Sequence, residues 1–270
     1  PKERHHDSFL WFADFETTTD GDRHLPYMLC ALSESGTAYE TSDYATNAAN
    51  VDSIWSQKLL SFGNFIARHT PRDYSPVVYF HNLNYDMAFI LPFVPLEQNS
   101  SVVEVNNRII AFKWFCPTSR QTIHFRDSYA MISAPLRDFG KMFGLMVEKE
   151  IFPYSFYTTE NFVKYGQLGE PLPPLDVYLS YYDVPEELEM KLRHLGMLGA
   201  DDRVHAHGYA QYYCSMDCRV LRDGFLRFRE QLQTVTTLDC VQYLTLPSTA
   251  YNFLIAQGVF EGCFNLAGSP

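Results

Sequence analysis

The chain has no run of about 18 apolar residues, so no segment is expected to span a membrane. Its opening, PKERHHDSFL, lacks the apolar stretch of a signal peptide. It also lacks an initiator Met, which suggests a piece of a longer chain. No disulfide framework or CxxC zinc pair is present. The six cysteines (30, 116, 214, 218, 240, 263) are scattered, and the closest two, Cys214 and Cys218, stand four apart. Reduced thiols are therefore expected in an intracellular setting: nucleus, cytoplasm or viral replication site. Basic excess is missing as well. There are 21 Lys and Arg against 32 Asp and Glu, a net charge of −11, which argues against a bulk duplex binder. Internal repeats and low-complexity tracts are absent.

What is abundant is core material. Apolar residues make up 46% and aromatics 16%, with 21 Phe and 18 Tyr, which excludes intrinsic disorder. With 270 residues the chain fits one large domain or two small ones. The acidity is uneven: residues 101–150 hold seven Lys and Arg against five Asp and Glu. By itself that is ordinary surface variation.

Short apolar runs punctuated by turn residues read as strands: SFLWFAD (8–14), LPYMLCALS, TAYET and SPVVYFHN (75–82). SVVEVN, RIIAFKWF and QTIHFRDS read as three consecutive strands, the first two joined at Asn106-Asn107. Helical spacing appears in VDSIWSQKLLSFGNFIARH (51–69), after YFHN, in APLRDFGKMFGL and in residues 207–233. PEELEMKLRHLGML is a helix with an acidic start and a basic end, and the tail from Leu246 is one more. GEPLPPLDVY reads as a Pro-rich loop. Strands interleaved with helices give an α/β fold with a mixed sheet.

Three places carry carboxylates that this pattern does not explain. In FADFETTTD, Asp14 and Glu16 share one strand face because the side-chain period is two. Two charges there repel unless a cation lies between them. Asp86 follows a strand in HNLNYD, at the kind of turn where open α/β sheets gather their sites; it also suits the first turn of a helix. Asp217 lies on the long helix, four residues after Tyr213 and on the same face. A Tyr–Asp pair there is also compatible with packing alone. Together the four carboxylates form a hard oxygen set suited to two Mg²⁺ or Mn²⁺ ions, the arrangement that hydrolyses phosphodiesters.

DFETTT, YFHNLNYD and YCSMD resemble the three exonuclease motifs of DEDD-type 3′–5′ exonucleases, in the variety with Tyr in the third motif. The likeness is to the proofreading domain of protein-primed family B DNA polymerases of phages, linear plasmids, adenoviruses and Polinton-like elements. It covers roughly residues 8–230. RDSYAMISAPLRDFGKMFGL and VEKEIFPYSFY resemble the Ser and Lys motifs that lie between the second and third. The resemblance implies a ribonuclease H-like mixed sheet flanked by helices. It implies Asp14, Glu16, Asp86 and Asp217 as ligands of two divalent metal ions, Tyr213 as the residue orienting the attacking water, and Lys149 beside the scissile phosphate. Thr17, Asn82, Tyr85 and Ser128 would hold the single-stranded 3′ end, supported by His81 and Phe89, with Tyr154 following the Lys motif. Such a pocket needs sugar and phosphate contacts and aromatic stacking, and Lys supplies a point charge to phosphate. On residue chemistry alone Asn82 could equally cap the next helix, and Tyr85 and Phe89 could be core.

The implied partners are a single-stranded DNA 3′ end, the remainder of a DNA polymerase and a terminal protein, with no membrane. The family's palm motifs, of the type DxxSLYP and YxDTD, do not occur. The expected organisation is therefore an exonuclease domain over residues 1–234, with 150–205 as a family-specific insertion, and 235–270 as the start of a truncated polymerase region. No polymerisation is expected of this chain. Two other functions share these residues: a 3′–5′ exoribonuclease, and a catalytically silent module that holds single strands or docks a terminal protein.

Overall fold

A computed structural model describes residues 7–20, 23–42, 48–94, 100–147, 149–165, 171–199 and 201–261. Cys263 and Glu148 lie outside these, as does the start of the Pro-rich stretch.

Seven strands form one mixed sheet in the order β3-β2-β1-β4-β7-β6-β5. They are β1 (Asp7–Asp20), β2 (Arg23–Ser33), β3 (Ala38–Ser42), β4 (Tyr74–Phe80), β5 (Ser101–Val105), β6 (Arg108–Cys116) and β7 (Gln121–Asp127). The central β1, β4 and β7 run parallel, and the outer pairs are antiparallel. This is the expected α/β sheet flanked by helices.

One face is covered by α1 (Ala48–His69) and α2 (Leu83–Ile90), which join Trp11, Ala13, Phe15, Trp55, Phe62 and Phe80 in a single apolar cluster. On the other face, α3 (Phe139–Phe143) and the long helix α7 (Ala206–Thr236) close over Leu10, Phe12, Val77 and Tyr79. Alternation along β1 sends odd residues to one layer and even residues to the other. The buried stripe of α7 (Tyr209, Ala210, Tyr213, Cys214, Asp217, Cys218, Val220, Leu221, Gly224) follows the helical repeat. Gly224 is required there: a Cβ would meet the Phe139 ring at 2.3 Å. The short helices α4 (Thr159–Tyr165), α5 (Leu175–Leu179) and α6 (Pro185–His194) pack an aromatic cluster against α7 and β2. The last element among the described residues is α8 (Leu246–Ala256).

Two local expectations are corrected. First, β1 runs six residues past Asp14, so the carboxylate pair sits within a strand, not at its end. Second, the Pro-rich loop is partly helical: Pro174 at the N-cap, with φ −60, leads into α5, and Tyr178 is fully buried. Helix α4 had no sequence expectation.

Candidate active site

The parallel ladder between β1 and β4 stops at Phe12 and Tyr79. Beyond it β1 pairs only with β2, with a bulge between Glu16 and Thr17. A cleft opens at the carboxyl ends of the central strands. Asp14 and Glu16 continue the Leu10–Phe12 face into it, Asp14 half-buried and Glu16 buried. Helix α7 closes that face and brings in Tyr213 and Asp217, both buried. Asp86 enters from the first turn of α2, where the helix dipole favours an anion. Carboxylate oxygens of Asp14 and Glu16 and the Sγ of Cys214 all lie within 4.8 Å of one another. Asp86 and Asp217 stand outside that group but near enough for their charges to act on it: Asp217 on both Asp14 and Glu16, Asp86 on Glu16.

Their electrostatics are those of crowded anions. Desolvation, then the charge of Asp217, pushes Asp14 up to about 7, although Lys149 opposes this. Burial and the neighbouring Asp14 and Asp217 hold Glu16 well above the usual carboxylate range. Burial and Asp14 do the same to Asp86. Asp217 is also raised by burial, despite an ion pair and hydrogen bond from Lys149. Burial lowers the Lys149 pKa, but Asp217, Tyr154 and Asp14 more than reverse that. The second oxygen of Asp217, Oδ1, is buried without a hydrogen-bond partner, an arrangement that is expensive unless something positive satisfies it. Four desolvated carboxylates and an orphaned acceptor fit hard divalent cations, Mg²⁺ or Mn²⁺.

Around this centre, Lys149 Nζ lies 5.0 Å from the centroid of the Tyr213 ring. The Tyr213 hydroxyl is hydrogen-bonded to that of Tyr154, which is exposed, and its ring stacks on Phe152 at 4.2 Å. Thr17 Oγ1 and the Tyr85 hydroxyl share a 2.8 Å hydrogen bond, and Tyr85 packs edge-on against the buried Phe89 at 5.2 Å.

Asn82 is exposed in the left-handed region (φ 78), which Asn tolerates better than most residues. It occupies the N-cap of α2, yet its side chain makes no cap bond and instead accepts from Arg108 at 2.8 Å. Ser128 is fully buried, donates to the Phe80 carbonyl at 2.9 Å and faces His81 Nδ1 at 3.0 Å. His81 is half-buried, and its Nε2 lies 2.8 Å from the Ala134 carbonyl. Burial pulls the His81 pKa down to about 4, so the ring is neutral and Nε2–H donates. Ser128 and His81 therefore brace the strand ends, while Asn82, Thr17 and Tyr85 are presented at the mouth.

Four residues here were not foreseen. Asp127 accepts from the backbone N–H groups of Asn82, Leu83 and Tyr129 at 2.9, 3.3 and 2.9 Å, so one carboxylate caps two separate turns. Arg108 begins the strand after the Asn106-Asn107 turn and reaches back to Asn82. His24 on β2 meets the Tyr85 hydroxyl at 2.8 Å through Nδ1. Cys214 looked like helix core. The positive quarter, residues 101–150, contributes Arg108 and Lys149 to this cleft.

A family model described as DNA polymerase type B, organellar and viral, matches residues 71–256. A "Probable DNA polymerase" of Neurospora intermedia is 23% identical over 184 residues, covering 64% of this chain and 18% of the relative. Among solved structures, phi29 DNA polymerase complexed with primer-template DNA and incoming nucleotide substrates aligns over 95% of this chain and 36% of that one, at 14% identity and a TM-score of 0.53. Its post-translocation binary complex with primer-template DNA aligns over 94% and 36%, at 13% identity and the same TM-score. That likeness is one of fold. The chain spans less than a fifth of the fungal relative and about a third of the phage enzyme. Among the described residues no helix is long and apolar enough to cross a membrane.

Proposed function

The chain belongs to the organellar and viral type B DNA polymerases, and from that premise we propose that it is their 3′–5′ exonuclease part, acting on single-stranded or frayed DNA 3′ ends and releasing nucleoside monophosphates. One observation carries this reading: burial raises the pKa of Asp14, Glu16, Asp86 and Asp217 alike, Asp217 adding to the rise at Asp14 and Glu16 and Asp14 adding to that at Glu16 and Asp86. These four would hold two Mg²⁺ or Mn²⁺ ions. Bound there, the cations supply activation of water and stabilisation of the leaving 3′ oxygen.

The chain's own groups do the positioning. The Tyr213 hydroxyl, fixed by Tyr154 and by stacking on Phe152, orients the water. Lys149, ion-paired with Asp217 beside the ligand set, would offer its charge to the scissile phosphate. Tyr85, backed by the buried Phe89, gives the terminal base an aromatic surface, and Thr17 and Asn82 offer hydrogen bonds to sugar and phosphate. His81 and Ser128 hold the turn beneath them. The exonuclease part takes residues 1–234, with 150–205 as a family-specific insertion, and 235–270 leads into the polymerase part. The remaining partners are that polymerase part and a terminal protein. Family membership favours DNA over RNA.

The test is an end-labelled oligonucleotide incubated with Mg²⁺ or Mn²⁺. The expected result is a ladder of 3′-shortened products, reduced on the order of 10³-fold in Asp14→Ala and Asp217→Ala, since several kcal/mol of charge stabilisation is removed. Equal cleavage by wild type and both variants would sink the reading. Faster cleavage of a matched RNA strand would move it to an exoribonuclease.

A further inference from the structure

The carboxylate cleft contains one donor that a hydrolytic Mg²⁺ site does not use. Cys214 follows Tyr213 on α7, is fully buried, and places its Sγ within 4.8 Å of ligand oxygens of both Asp14 and Glu16. Its S–H is directed at the Asp14 backbone carbonyl at 3.5 Å, which fixes the thiol against β1. Three residues further along the helix, Asp217 is only 2% exposed, and its Oδ1 has no hydrogen-bond partner. At i, i+3 on α7, Asp217 stands beside Cys214 on the same buried stripe of the helix. Thiolate is a soft ligand. It adds nothing for Mg²⁺, but it favours d-block cations such as Zn²⁺, Cd²⁺ and Co²⁺.

We propose that Cys214, Asp14 and Glu16 form a site for a single thiophilic cation, most simply Zn²⁺, and that this cation competes with the hydrolytic metal pair. In tetrahedral Zn²⁺ sites, bonds of about 2.0–2.3 Å put ligand atoms roughly 3.5 Å apart. Atoms already within 4.8 Å reach that spacing through small side-chain adjustments. Two carboxylates and one thiolate leave a fourth position for water or for Asp217. Binding forms a metal–sulfur bond, breaks the S–H bond and releases that proton to solvent, with no change of oxidation state. The consequence is a cation switch: Zn²⁺ seated by Cys214 takes Asp14 and Glu16 away from the hydrolytic pair. That consequence rests on the exonuclease reading, but the binding itself does not.

The test uses Co²⁺ as a spectroscopic stand-in for Zn²⁺, titrated into the full chain. The expected result is a sulfur-to-cobalt charge-transfer band with the intense visible bands of a four-coordinate site, bleached by one equivalent of Zn²⁺. The charge-transfer band should vanish in Cys214→Ser and persist in a Cys30→Ala/Cys218→Ala double variant. That double variant keeps the test decisive if Cys214→Ser does not fold. No charge-transfer band in wild type, a band that survives Cys214→Ser, or a band lost in the double variant would overturn the proposal. Wild-type cleavage with Mg²⁺ but no cobalt–thiolate band breaks this inference alone. A band without cleavage in Mg²⁺ or Mn²⁺ breaks the exonuclease reading alone.

Discussion

From Phe9 to Ala13, β1 has a paired strand beside every residue, and one on each side at Trp11 and Phe12; it carries no charge, and every residue is buried. From Asp14 onward the same strand pairs with β2 alone, is bulged, and carries two carboxylates in its first three residues. The first stretch lies between two helical layers and contributes burial. In the second, the pKa of every carboxylate in the cleft is raised, so the metal-free protein is held together in spite of it. The boundary is the last rung of the β1–β4 ladder. Where β4 stops, backbone pairing gives way to space, and the side chains change from structural to chemical.

Substitutions on the two sides of that boundary should therefore act differently. The largest stability effect is expected at Trp11, which is fully buried and donates through Nε1 to Thr70 Oγ1 at 3.1 Å. Trp11→Ala should destabilise by about 3–5 kcal/mol, read as a lowered urea midpoint. Exonuclease activity per folded molecule should be retained at low temperature. A Trp11→Ala protein that melts like wild type would erase the contrast.

His81 marks the boundary itself, just past the end of β4. It is neutral in the fold, with a pKa lowered by burial from 6.5 to about 4. Its contribution to stability is thus fully present above pH 6.5 and is lost as pH falls through about 4. At most about 3 kcal/mol is at stake. His81→Gln should flatten the pH dependence of stability between those values, as measured by urea melts in that window. Parallel curves for variant and wild type would show that His81 titrates freely.

The smallest effect is expected at Arg108, which reaches Asn82 at the mouth of the cleft. Removing one hydrogen bond to a charged group, worth about 1–2 kcal/mol, should raise the KM for single-stranded DNA roughly tenfold in Arg108→Ala, with kcat little changed. A fall in kcat with KM unchanged would place Arg108 nearer the chemistry than its geometry does.

The sequence pattern reached the sheet and the long helix because each repeats several times: strand alternation in SFLWFAD, and a buried stripe over about five turns of α7. It also reached the four carboxylates, since a charge inside an apolar pattern stands out. Helices α4 and α5 were illegible because five to seven residues do not complete enough turns to show a period, whereas the ten-residue α6 was read from its acidic start and basic end. Pro174 looked like a loop residue but starts a helix. The role of Asp127 could not be read, because it depends on amides from two turns far apart in sequence. The same holds for Arg108 and Asn82, where the expected helix cap was taken over by a contact from another strand. Cys214 was masked by its own burial, since a thiol on an apolar stripe looks like core until its neighbour across the sheet is known.

The central claim is that the second half of β1 opposes folding until cations arrive, and Asp14→Asn tests it most directly. Thermal melts of wild type and variant should be compared in chelator and in Mn²⁺ at neutral pH. The account predicts that the variant melts higher than wild type in chelator and gains less from Mn²⁺. A variant that melts lower in chelator, or gains as much from Mn²⁺ as wild type, would contradict it.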